Sequence, residues 1–129
     1  MQIEVSLGEI LDKITILEIK LTHIVESIKL DNVYKELKYL NEIWFSSGYG
    51  KDKEYRDLFD VNMKLWEIED KIREKELKKE FDSELIELAR SVYITNDERA
   101  RIKKEINLKY GSSFIEEKFN HLRNPKNPK

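Results

Sequence analysis

Ser6-Leu-Gly-Glu-Ile10-Leu-Asp-Lys-Ile14-Thr-Ile-Leu17-Glu-Ile-Lys-Leu21 decides the fold class. Ser6 with Glu9 three residues later is a capping box: the serine hydroxyl closes one end of a helix and the glutamate returns the bond. The apolar positions Ile10, Ile14, Leu17, Leu21, Ile24 and Ile28 then follow at spacings of 4, 3, 4, 3 and 4. Such a seam belongs to a helix and not to a strand. Leu7, Leu11 and Val25 widen it, and at 100° per residue Ile16 and Ile19 fall near the opposite side. A helix that is apolar on two sides needs two partners. One is the rest of the chain, and the pattern predicts that the other is a second copy. The expectation is therefore a homo-oligomer, most simply a dimer through this first helix.

Working outward, Gln2-Ile-Glu-Val5 alternates like a strand but is too short to make a sheet, so it is read as an extended N-terminal arm. Asp31 is placed to cap a second helix over about 32–46, with Val33, Leu37, Leu40 and Trp44 inward. Ser46-Ser-Gly-Tyr-Gly-Lys51 is the clearest loop. A third helix over about 53–79 carries Leu58, Val61, Leu65, Ile68 and Ile72. Phe81-Asp-Ser83 turns the chain into a fourth helix that runs toward Tyr110. Within it Thr95-Asn-Asp-Glu98 is a second capping-box pattern, so a break at Thr95 is the alternative to one unbroken helix. Gly111 stops it, and Ser113 with Glu116 starts one last turn or two. The fold class predicted is all-α, an up-down bundle of about four main helices. One domain spans 1–119, and residues 120–129 form a frayed tail.

Composition agrees. The chain has 129 residues, enough for one core, and both of its prolines lie in the last five positions. Charged residues make up 39%, which suits slender helices with broad solvated faces. The 24 basic and 26 acidic residues are mixed and leave a net charge of −2. A nucleic-acid binder would show a basic excess or patch. With no cysteine, disulfides and thiol chemistry are excluded, and two histidines alone do not build a structural zinc site. No apolar run reaches the roughly 18 residues of a membrane span, and the N-terminus lacks a signal-peptide pattern. A soluble cytoplasmic protein is expected.

Function is sought where polar residues interrupt apolar faces. On the third helix Asn62 and Glu69 project near the middle of the apolar face, with Arg73 one turn beyond Glu69. On the fourth helix Asn96, Arg99 and Lys103 share the stripe of Leu85, Leu88, Val92 and Ile106. An antiparallel pair would let the two blocks meet, and Glu18 flanks the seam of the first helix. A buried carboxylate must be paired or neutral, so this block is either a structural ion-pair network or a ligand site. Its basic members outnumber the single carboxylate, which favours a small anion held by arginines. The candidate ligand-binding set is Asn62, Glu69, Arg73, Asn96, Arg99, Lys103 and Glu18, in a non-enzymatic binding module.

An enzymatic alternative rests on Glu9-Ile-Leu-Asp12 and Glu67-Ile-Glu-Asp70, carboxylate pairs at i,i+3 suited to Mg²⁺. Their spacing is similar to that of all-α nucleoside triphosphate pyrophosphohydrolases. Helical chorismate mutases also resemble the overall pattern, but the first helix here has no arginine for a dicarboxylate clamp. His23, His121, Trp44 and Trp66 are read as surface, tail, core and rim residues. Glycine-rich phosphate loops, H-E-x-x-H and serine elbows are absent from the sequence.

Three segments together are familiar: Ile3-Glu-Val-Ser6 leading into Gly8-Glu9 and Asp12-Lys-Ile-Thr-Ile-Leu-Glu-Ile-Lys20; Leu65-Trp-Glu-Ile-Glu-Asp70 with Ile72-Arg73; and Glu87-Leu-Ala-Arg-Ser-Val-Tyr93 with Thr95-Asn-Asp97 and Arg99-Ala100. Up to about Lys118 the chain resembles a family of small bacterial proteins catalogued only as a domain of unknown function. The resemblance implies a self-contained protein and no particular activity. It places Glu69, Arg73, Asn96, Asp97 and Arg99 in the recognisable segments.

Overall fold

A computed structural model of the chain describes residues 2–111. They form four α-helices: α1 (Leu7–His23), α2 (Ser27–Ser46), α3 (Lys53–Lys78) and α4 (Ser83–Lys109). The all-α bundle is as expected. Ser6 caps α1 by accepting from the Glu9 amide at 3.3 Å. Asp82 caps α4 by accepting from the Leu85 amide at 3.0 Å. Lys79, in the left-handed conformation at φ 54°, ends α3. Residues 2–5 are exposed and non-helical. The last turn expected at Ser113–Glu116 and the tail over 120–129 lie outside the described residues.

Two boundaries differ from expectation. The seam drawn to Ile28 as one helix is cut at His23, and Val25 is 93% exposed. At this end Thr22 Oγ1 and His23 Nδ1 both turn back onto the Ile19 carbonyl, at 2.7 and 2.8 Å, and Ile24 leaves the helical region at ψ 132°. Side chains that bond the backbone in this way compete with the helical ladder. The second helix accordingly begins at Ser27, four residues before Asp31, with Glu26 at its N-cap. At Thr95, where a break was the alternative, α4 runs on as one helix and the threonine itself is buried.

α1 is the hub. It packs against each of the other three helices, α3 pairs with α4 through the tight turn at residues 79–82, and among the four described helices α2 runs only against α1. Its contacts show that α1 lies across the α3–α4 pair. Gly8 and Asp12 meet α4 at Asn107 and Arg99, whereas Glu18 and His23 meet α3 at Tyr55 and Trp66. Leu11, Ile14 and Leu17 carry the core, closed by Leu37 and Trp44 from α2, Leu58, Val61 and Leu65 from α3, and Ile102 and Ile106 from α4. Ile19 is 1% exposed and Ile16 half-buried. Both apolar sides of α1 are thus covered within one chain, so the two-sided pattern does not call for a second copy there.

Trp44 anchors the far end of α2. Its indole donates to the Gly50 carbonyl at 3.0 Å, and its ring meets Tyr49 and Tyr110 at centroid distances of 4.9 and 5.8 Å. Gly48 makes the turn at φ 89°. Among the described residues no helix is long and apolar enough to cross a membrane.

Candidate functional site

The site forms where α1 crosses α3 and α4. On α1, Asp12 and Thr15 lie one turn apart, and both are buried. Asn62 of α3 donates through Nδ2 to Asp12 Oδ1 at 2.9 Å and to Thr15 Oγ1 at 2.8 Å. The Thr15 hydroxyl donates in turn to the Asp12 carbonyl at 2.7 Å. Arg99 of α4 grips the same carboxylate with both arms of its fork: Nε to Oδ1 at 2.8 Å, and Nη2 to Oδ2. Three helices are joined at one carboxylate. A bidentate arginine is the partner that best compensates a buried acid, because it supplies two charge-assisted bonds in fixed geometry.

Two further contacts continue along α4 at four-residue intervals. Lys103 Nζ lies 2.7 Å from Glu9 Oε2. Asn107 Oδ1 accepts from the Gly8 amide at 2.6 Å, satisfying one of the open donors at the start of α1. The backbones touch here: a Cβ on Gly8 would lie 2.5 Å from the Lys103 carbonyl oxygen. Gly8 is therefore a close-approach position. Arg99, Lys103 and Asn107 bind Asp12, Glu9 and Gly8 in turn, and the charges along this edge are matched.

Of the seven candidate residues, Asn62 and Arg99 meet through Asp12, and Lys103 stands beside them. Asn96 is half-buried on the same helix. Glu69 and Arg73 do not join. Both are exposed, and Arg73 bonds Asp70 at 2.7 Å instead of Glu69. The helical phase placed them correctly on the face that carries Asn62, but α1 has crossed by Trp66 and nothing covers that face further on. Glu18 belongs to a separate group. It accepts from Tyr55 Oη at 2.8 Å and pairs with Lys51 at 3.4 Å, and the Lys51 ammonium sits 4.9 Å from the Tyr55 ring. Burial first, and then the bond to Glu18, pushes the Tyr55 phenol well above its ordinary value.

Sequence reasoning had placed Asp12 only in the metal alternative. The missed signal was its phase: seven residues before Ile19, it falls about 20° from it on the second apolar side of the helix. The carboxylates offered for Mg²⁺ do not assemble. Glu9 is held by Lys103, Asp12 by Arg99 and Asn62, and Asp70 by Arg73, while Glu67 is exposed. Among the described residues no three acidic or histidine side chains cluster in a way that could hold a metal ion. Burial also raises the Tyr110 phenol, and several lysines are shifted by ion pairs. Lys75 is raised by bonds to Asp82 and Glu80, and Lys109 by bonds to Glu54 and Asp52.

No curated protein and no solved structure matches the chain. One family model does, over residues 1–125, and the segments singled out from the sequence fall inside it. The chain belongs to the family described as Family of unknown function (DUF6165).

Proposed function

We propose that this protein is a non-enzymatic helical interaction module in which the polar cluster is a clamp and the binding surfaces lie elsewhere. The observation that carries this is the bidentate Asp12–Arg99 pair, with Asn62 and Thr15 completing it. An anion drawn to Arg99 would have to displace a carboxylate already held there and leave that carboxylate buried and unpaired, a cost of several kcal/mol. The surface gives further support. Leu77, Phe81 and Ile86 near the end of the α3–α4 hairpin are exposed, as are Tyr34, Tyr39 and Phe45 on α2. Large apolar side chains left in water at these places are where contact surfaces for other macromolecules would lie. We place the module in the cytoplasm, which suits a chain without cysteine.

A second reading keeps an anion-accepting site between α3 and α4. It is favoured by one feature: the Arg99 side chain remains 27% exposed beside half-buried Asn96. Thermal melts with phosphate, nucleotides and dicarboxylates, each with and without Mg²⁺, separate the two. The clamp is expected to give no saturable shift. A saturable rise in Tm that Arg99→Lys removes would overturn the clamp and establish the anion site. A nucleotide shift that requires Mg²⁺ and is lost in Asp70→Asn would instead favour an enzyme.

A further inference from the structure

α2 packs along α1, with Val33, Leu37, Leu40 and Trp44 inward. Beside that inward face runs a second stripe, Tyr34, Leu37, Asn41 and Phe45, spaced 3, 4 and 4 residues apart. These residues, with Lys38 and Glu42, line a shallow groove along the helix. Tyr34 and Phe45 at its two ends are more than half exposed. Asn41 Oδ1, near its centre, is buried and has no hydrogen-bond partner.

The charges on this groove fit their own image turned end for end. Lys38 and Glu42 lie one turn apart on the same flank of the stripe. A twofold axis perpendicular to the helix, midway between residues 34 and 45, sets Tyr34 against Phe45 of the second copy. It also keeps each flank on its own side. Lys38 then falls within one residue of the second copy's Glu42, at two equivalent places, and beside the second copy's Asn41. A parallel arrangement would instead set Lys38 level with Lys38 and Glu42 level with Glu42. Self-complementarity under a twofold is the requirement of an isologous dimer.

We infer that a second copy of this chain docks on the Tyr34–Phe45 face of α2, antiparallel, with reciprocal Lys38–Glu42 pairs. This rests on the interaction-module proposal and names the partner for one of its surfaces. A 20-residue helix is about 30 Å long. One helix pair of that length sits at the low end of specific interfaces, so the association is reversible and concentration-dependent.

Sedimentation equilibrium of the full chain, from micromolar to millimolar, tests it. The expected result is a rise in mass from 15.5 kDa toward twice that value. Tyr34→Glu is expected to abolish the rise, and Tyr39→Glu, about 140° round the helix from Tyr34, to leave it. Lys38→Glu and Glu42→Lys are each expected to weaken association roughly tenfold. The double variant restores it, and so does mixing the two single variants. A chain that stays monomeric at the highest concentration overturns the inference. So does association that Leu77→Lys abolishes and Tyr34→Glu does not, or a double variant as weak as its parents. None of these outcomes touches the clamp, which is tested separately by the anion-dependent melts.

Discussion

Removing Arg99 should cost far more than removing the charge it neutralises. Asp12 is 1% exposed, so in Arg99→Met its carboxylate is left in the interior with Asn62 Nδ2 as its one side-chain donor among the described residues. Breaking one side of a buried pair costs about 3–5 kcal/mol. The lower half of that range is expected here, because water can enter from the exposed side of Arg99. For a domain of this size about 4 °C of Tm corresponds to each kcal/mol, so the midpoint should fall by roughly 12–16 °C. Asp12→Asn leaves the partly exposed guanidinium to be hydrated and keeps a carbonyl oxygen for Asn62. Its cost should be about 1–2 kcal/mol. The double variant removes both charges and should be more stable than Arg99→Met alone. Urea unfolding of the four proteins closes a double-mutant cycle, with an expected coupling above roughly 1 kcal/mol and little salt dependence. Single costs that are equal and add to within about 0.5 kcal/mol would refute the buried clamp.

Gly8→Ala forces a methyl group toward a backbone carbonyl that cannot rotate away, and should lower stability by about 1–3 kcal/mol in the same urea assay. Glu69→Gln and Arg73→Gln should each change stability by less than about 0.5 kcal/mol, since both residues face water. Tyr55, held protonated by burial and by Glu18, contributes stability that is complete below the ordinary phenol pKa and is lost as pH rises through its raised folded value. Ultraviolet titration should show one of the six tyrosines ionising only when circular dichroism reports unfolding. Glu54 and Asp82 are depressed, chiefly by bonds to Lys109 and Lys75. They work in the opposite sense: their contribution holds above the ordinary carboxylate range and is lost as pH falls through it, so Glu54→Gln should flatten the acid limb of the pH–stability curve.

The fold was legible because a 3–4 apolar repeat and two capping patterns are local signals. Serine at position 6 and aspartate at position 82 do at the helix ends what their chemistry dictates. The end of α1 was not legible, since the apolar seam continues past it through Ile24 and Ile28. The helix ends where Thr22 and His23 both bond the Ile19 carbonyl, a point that no apolar spacing marks. The polar cluster was half legible. Phase alone identified Asn62, Arg99 and Lys103, because an amide and two cations on an apolar stripe are conspicuous. Phase cannot say how far a neighbouring helix extends, and so it gave Glu69 and Arg73 the same weight. Their exposure follows from the path of α1, which is a property of three helices and is written in none of them separately.

That path also explains why a chain with a well-filled core keeps so much apolar surface in water. α1 has 17 residues and α3 and α4 have 26 and 27, or roughly 26 Å against 39 and 40 Å. Laid alongside, α1 would already leave a third of the hairpin bare, and running across it leaves more. The apolar contacts of α1 do not fix this crossing, because dispersion and burial are non-directional and Ile, Leu and Val would tolerate other angles. A carboxylate that must find an amide on one helix and a guanidinium on another tolerates very few. Asp12 therefore sets where α1 crosses, and the crossing sets which residues of α3, α4 and α2 are left without cover. The clamp and the exposed faces are two results of one arrangement: the buried charge fixes a geometry whose uncovered sides are available to partners.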